Sequence, residues 1–227
     1  MDNIIHFKAH PKSKANGKFE KPNQFHWVCL GVLAFACAIA TIHPLEMPAY
    51  LLHQLGTALG VMLIVYFTYR GYVSRSGFAL AIGFLLVHVL GAHYLYSFVP
   101  YNDWCKSILH IDLNAQFGWT RNMYDRLVHI SYGLLLYKLI FDAFSVWLPH
   151  AHRGQLALLT IQFVMASSMF YELIEWLVAI GMSPKDAENY NGQQGDMWDA
   201  HKDMATATLG AIMAWLTTVV VRLYTVK

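Results

Sequence analysis

The chain has 227 residues, of which 56% are hydrophobic and 13% charged, about half the ~25% charged content of a soluble domain. Its formal net charge is only +2 and no basic stripe or nucleic-acid motif is present, so nucleic acid is set aside as a partner. Cys29, Cys37 and Cys105 lack the spacing of a disulfide framework or a thiolate metal site.

Mean hydropathy is +0.37, and the apolar residues fall in long runs, each near the ~20 residues that cross a bilayer. The pattern predicts an all-α integral membrane bundle of about six transmembrane helices. Residues 1–24 are polar and carry Lys8, Lys12, Lys14, Lys18 and Lys21, which reads as a mobile cytoplasmic tail. Residues 25–227 form the six-span membrane domain. The first run, Trp27–Ile42, resembles a signal peptide, but the basic region ahead of it is long and no small-residue cleavage site follows. The "AFAC" ending at Cys37 has Ala34 where a lipoprotein site prefers Leu, so this run reads as the first span.

The spans are placed at roughly 25–43, 49–70, 77–99, 122–148, 155–181 and 197–224. Pro44, Pro48, Pro100, Pro149 and Pro184 punctuate the gaps. The longest gaps, 100–121 and 182–196, read as loops. With the tail inside, Arg70, Arg75, Arg153, Arg222 and Lys227 also fall inside, and this bias predicts both termini in the cytoplasm.

Four polar clusters interrupt the apolar runs. "HVLGAHYLY" (His88–Tyr96) closes span 3, "RNMYDRLVH" (Arg121–His129) opens span 4, "YELIEW" (Tyr171–Trp176) lies late in span 5 and "DMWDAHKD" (Asp196–Asp203) opens span 6. The alternation of span directions puts all four in the outer, periplasmic half. Asp196, Asp199 and Asp203 share one helical face, continued by Ala207 and Gly210; Glu172 and Glu175 are i, i+3; Asp125 and His129 are i, i+4. Lys202 borders the aspartate face without occupying its centre.

A carboxylate at mid-bilayer costs about 2.5–3.5 kcal/mol even on insertion scales. Arg121, Arg126 and Lys202 neutralise only part of this group, and a divalent metal, with ligand chemistry that points to zinc, is expected to supply the remainder. The expected ligands are His93, His129, Glu172, Glu175, Asp199 and Asp203, with Glu172 and Asp125 as catalytic carboxyls. His88, Arg121, Arg126, Asp196 and Lys202 are expected to support the ligands or hold an anionic substrate group. The bland alternative is a structural network of buried ion pairs. His53 reads as a packed core histidine, His110, His150 and His152 as loop residues, and Gly91, Gly133 and Gly210 as helix-packing positions. Trp104, Trp119, Trp176 and Trp198 fit an outer aromatic belt.

The four segments together, over roughly residues 80–215, resemble the bacterial inner-membrane family of unknown function that includes the enterobacterial protein YjdF. The family pattern has Gln where this chain has His201, which sets His201 aside as a ligand. The resemblance implies a multi-pass envelope protein with a polar site and supplies no activity. The arrangement also resembles, at the level of architecture, membrane hydrolases of the ceramidase and adiponectin-receptor type, whose His-x-x-x-His motif is absent from the last helix here. Two functions are therefore expected in competition: a metal-dependent hydrolase acting on a lipid or envelope precursor, with membrane lipid as its surroundings, or a non-catalytic envelope-integrity or assembly factor. Ion or proton transport is the weaker third, because the inner halves of the spans are apolar apart from Lys138 and Asp142.

Overall fold

Local side-chain chemistry sets where the helices begin. The Asn23 side chain accepts from the Phe25 amide at 3.1 Å while His26 Nδ1 accepts from the Asn23 amide at 3.2 Å, which starts the first helix. Ser74, His152 and Ser183 cap three others through the amides three residues on. Pro48 opens the second helix, where its missing N–H is no loss.

The computed structural model describes residues 17–225, and among these there are nine helices and no strand. In chain order they are α1 (Gln24–Ala40), α2 (Met47–Tyr69), α3 (Arg75–His93), α4 (Tyr101–Leu109), α5 (Leu113–Phe117), α6 (Tyr124–Trp147), α7 (Arg153–Ile180), α8 (Pro184–Asn191) and α9 (Asp199–Thr225). Five of them, α2, α3, α6, α7 and α9, are long and apolar enough to cross a membrane. The remaining expected span is α1, whose 17 residues reach about 25 Å at ~1.5 Å per residue. Their outward faces carry large apolar residues such as Leu55, Phe170, Trp176 and Leu223, all exposed. Exposed apolar side chains on helices that satisfy their own backbone suit a lipid surround.

The core runs along α3 and α6. Phe78, Ala81, Leu85 and Val89 of α3 pack with Tyr137, Leu139 and Ile140 of α6, and Ala207 and Ala211 of α9 join them fully buried. The crossing of α6 and α9 is backbone-tight. A Cβ added to Gly133 would overlap the Ala207 carbonyl oxygen, and one added to Gly210 would overlap the Ile130 carbonyl oxygen. Each helix thus presents a glycine to the other's backbone, as small residues do where membrane helices approach closely.

Three features differ from the sequence expectation. Span 3 stops at His93 rather than running to 99, because Leu95 and Tyr96 take left-handed φ values of 51° and 54°. The Tyr96 amide then donates to the Gly91 carbonyl at 2.8 Å, and its ring lies where a Cβ on Gly91 would come within 2.6 Å. The two long gaps read as loops contain the short helices α4, α5 and α8. Of the polar tail, residues 1–16 lie outside the described residues, while 17–23 dock on the turn between α2 and α3. There the Phe19 amide donates to the Gly71 carbonyl at 3.0 Å and Glu20 pairs with Arg75.

The α6–α9 crossing yields a direct test. Gly210→Ala is expected to destabilise by about 1–3 kcal/mol through overpacking. Gly31→Ala, where no atom lies within 4 Å of the added Cβ, is expected to be neutral. Thermal unfolding of both variants in one detergent checks this; equal melting temperatures would contradict a tight crossing.

Candidate functional site

Because α6 and α9 start at the same end of the bundle where α3 and α7 finish, four polar segments from distant parts of the chain converge there. The first turns of α6 supply Asp125, Arg126 and His129. The first turns of α9 supply Asp199 and Asp203, and the last turns of α7 supply Glu172 and Glu175. Asp196 lies in the turn before α9 rather than on its face, yet it still reaches the cluster.

Arg126 lies at the centre. Its guanidinium holds Asp203, bonds Asp199 at 2.5 Å, and lies 3.4 Å from both Asp125 and Asp196. Its side chain is 9% exposed, against 5% for Asp199 and 4% for Asp203, so these are desolvated charges. Arg121 bonds the same Asp199 oxygen at 2.6 Å and donates to the carbonyls of Gln193 and Gly192 at 3.0 and 3.1 Å. Gln194 clamps the start of α6 by exchanging two bonds with the Asn122 backbone, at 2.9 and 3.1 Å. Lys202, half exposed, bonds Asp196 at 2.6 Å.

His129 is surrounded differently. Its Nε2 lies 3.7 Å from Asp125 Oδ1, 3.8 Å from Glu172 Oε1 and 3.7 Å from Asp203 Oδ1. These separations are too long for hydrogen bonds. Ligand atoms of Asp125, His129 and Asp203 all lie within 4.8 Å of one another. Two ligands about 2.1 Å from one ion at a tetrahedral angle lie ~3.4 Å apart, so the spacing admits an ion with small adjustment. A mixed imidazole and carboxylate donor set suits zinc, manganese or iron. Glu172 Oε1 is buried without a hydrogen-bond partner, although its side chain is only 10% exposed.

The other candidates lie apart from this centre. His93 Nδ1 bonds the Ala40 carbonyl at 2.8 Å and ties the end of α3 to the end of α1. His88 bonds the Tyr96 hydroxyl at 2.8 Å and approaches the His53 carbonyl at 3.3 Å. The buried His53 ring stacks on Tyr190 of α8 with centroids 4.8 Å apart. His201 stays exposed, its ring edge-on to Trp198. Asp199 joins the site as a partner of two arginines, and Arg121 and Arg126 are engaged by aspartates rather than turned to an anion.

Glu175 lies beside Tyr171, one turn earlier on α7, whose ring is 6.2 Å from that of His129. It lines a cavity of about 270 Å³ together with Glu172, Asp199, Asn191 and Gln193. The other walls are the apolar Met169, Leu173, Trp176 and Met204, with Ala200. The sequence pattern gave Asn191 no role and named Tyr171 only as the start of a polar cluster; the Tyr171–Glu175 spacing of one helical turn was the available signal.

A family model described as "Predicted membrane protein (DUF2238)" matches residues 25–223. The chain belongs to that family. It is also similar to the "Inner membrane protein YjdF" of Escherichia coli (strain K12), 33% identical over 127 residues, which is 56% of each chain. The match thus spans a little over half of that relative's length. No solved structure matches the chain.

Two consequences of the ion pairs are measurable. Arg126→Gln leaves Asp199 and Asp203 short of their central cation and is expected to cost about 3–5 kcal/mol, read as loss of thermal stability. Lys202→Gln acts at the rim. The bond from Lys202, followed by that from the Trp198 amide, holds Asp196 below the usual carboxylate range. A depressed folded-state pKa stabilises above the unfolded value near ~3.9 and loses that contribution as pH falls through the folded value. Lys202→Gln is therefore expected to lower the melting temperature at neutral pH and leave it unchanged in acid, where Asp196 is protonated with or without its partner, so that the acid limb flattens from its neutral end; an unchanged acid limb would remove the pair from the balance.

Proposed function

We propose that this membrane protein resides in the bacterial inner membrane with both termini cytoplasmic. We propose further that its polar cluster, at the periplasmic end, holds a divalent metal, zinc by ligand type, for hydrolysis of a lipid or envelope precursor. One observation carries the reading: an imidazole nitrogen of His129 faces carboxylate oxygens from three helices at 3.7–3.8 Å with no hydrogen bond among these contacts. The similarity to an inner membrane protein of E. coli supports the location. The excess of six acids, Asp125, Asp196, Asp199, Asp203, Glu172 and Glu175, over Arg121, Arg126 and Lys202 supports a further cation.

In this reading His129, Asp125 and Asp203 are the ligands. A bound ion supplies a Lewis acid that makes water a nucleophile near neutral pH. Asp203 can serve while also holding Arg126, because a carboxylate offers about four lone-pair sites. Glu172, adjacent to His129 and lining the cavity, takes the proton of the attacking water and returns it to the oxygen of the leaving group. Water's oxygen forms the new bond and the ester bond breaks, so the proton count closes. Arg126 and Arg121 hold Asp199 and Asp203 in place.

A second reading has its own support. The many bonds of Arg126, set on a tight α6–α9 crossing, are what a structural clamp in an envelope-integrity or assembly factor requires. Transport has less. In the other half of the bundle Lys138 bonds Asp142 at 2.5 Å and Ser74 at 3.0 Å, and the Ser74 amide bonds Asp142 at 3.1 Å, a closed group.

Elemental analysis of the purified protein decides the metal. About one zinc per chain is expected, lost in His129→Ala and in Asp203→Asn and kept in Asp186→Ala, an exposed position in the first turn of α8. Absence of metal from the parent protein, or equal metal in all variants, would overturn the metal reading and leave the clamp. The topology is checked by thiol labelling of intact cells in a background lacking Cys29 and Cys37: Cys105 is expected to react from outside, and Arg153→Cys is not.

A further inference from the structure

The cavity beside the cluster has an unusual electrostatic wall. Glu172, Glu175 and Asp199 line it, and among the described residues no lysine or arginine does. Asp199 is neutralised by Arg121 and Arg126 from behind. Glu172 Oε1 is buried and unpartnered, its side chain 10% exposed, and Asn191 Oδ1 is a second buried acceptor without a donor. Glu175 has the neutral Tyr171 hydroxyl as its neighbour. The cavity therefore offers acceptors and negative charge and asks for donors.

Its other side is apolar and faces outward. Met169, Leu173 and Trp176 of α7 are exposed on the lipid-suited surface and form the rim with Met204 of α9. At about 270 Å³ the space is smaller than a typical small-molecule pocket of ~300–1,000 Å³. It accommodates a headgroup and not acyl chains, which would lie against the exposed faces of α7 and α9.

We propose that this cavity binds the primary ammonium group of a lipid that enters sideways between α7 and α9. An ammonium carries three donors and no acceptor, which matches Glu172, Glu175 and Asn191. A headgroup that presents only phosphate or carboxylate to the cavity fails on charge, since the nearest guanidiniums are bonded to aspartates. The lipid, rather than a soluble amine, is favoured by the apolar rim. The assignment does not rest on the metal reading, because Glu175 and Asn191 are not among the ligand atoms of Asp125, His129 and Asp203.

The test is native mass spectrometry of the full chain in detergent, titrated separately with phosphatidylethanolamine and phosphatidylglycerol of identical acyl chains. Phosphatidylethanolamine is expected to be retained about tenfold better, the scale of one charge-assisted contact. Glu175→Gln is expected to abolish that preference with metal content unchanged. Ala200→Phe, which fills the cavity, is expected to abolish retention, and it decides the matter if Glu175→Gln does not fold. His129→Ala is expected to lose metal and keep the lipid preference, so the two readings fail separately. Equal or better retention of phosphatidylglycerol, or a preference that survives Ala200→Phe, would overturn the assignment. Displacement of the lipid by free ethanolamine would replace it with a soluble amine.

Discussion

A buried guanidinium with several carboxylates around it governs this end of the bundle. Arg126 is nine-tenths buried and touches carboxylates contributed by α6, α9 and the turn before α9. Removing one partner from such a group leaves a desolvated charge, which is far more costly than the net gain from the intact pair. The pairing in turn demands that α6 and α9 approach closely, and Gly133 and Gly210 make that approach possible at the backbone level. The small-residue seam and the ion pairs are two parts of one constraint: without the seam Arg126 could not reach Asp199 and Asp203, and without the pairs the seam would bring charges together unneutralised.

The two ends of α6 treat charge in opposite ways. At one end Lys138, Asp142 and Ser74 form a compact group in which Asp142, buried, receives bonds from the Ser74 amide and hydroxyl and from Lys138. It is balanced and closed, and it anchors the start of α3. At the other end acids outnumber bases, and one carboxylate oxygen has no partner. A structural network has little reason to keep a buried acceptor unsatisfied. This contrast within one helix favours a binding role for the acidic end over a purely structural one.

The helical architecture and the convergence of the four clusters were legible because both depend on long-period features: apolar run length, and the alternating direction of successive spans. The shared face of Asp199 and Asp203, and of Asp125 and His129, followed from helical spacing alone. What the pattern could not supply was which carboxylate met which cation. Asp199 and Asp203 read alike along the sequence, but only Asp203 also borders His129, because the distinction depends on rotation about the α6–α9 contact. His93 stood with His129 among the expected ligands, though nearer the outer rim by its position along the span. It instead caps a contact with α1, since the left-handed turn at Leu95 and Tyr96 ends α3 there, and no local rule marks a left-handed Leu–Tyr pair. The docking of residues 17–23 was equally hidden, because it rests on a backbone bond to Gly71 and an ion pair across the α2–α3 turn.

The acid excess is distributed in space, and that distribution bears on what the site can do. Asp199 is answered by two guanidiniums and Asp196 by Lys202 and the arginines, so these two complete a neutral clamp around Arg121 and Arg126. Asp125 and Asp203 turn toward His129, where a cation would draw them together. Glu172 stands between that centre and the cavity, touching His129 on one side and lining the open space on the other. Glu175 lines the cavity beside Tyr171. A ligand held by Glu175 and Asn191 would thus present its next atoms to Glu172, the group best placed to pass a proton between the ligand and the His129 centre. The order clamp, His129 cluster, intervening Glu172, acidic cavity and apolar rim runs outward across α6, α9 and α7. Along it the aspartates that meet Arg121 and Arg126 are neutralised, and Glu172 and Glu175 are left for a ligand to answer.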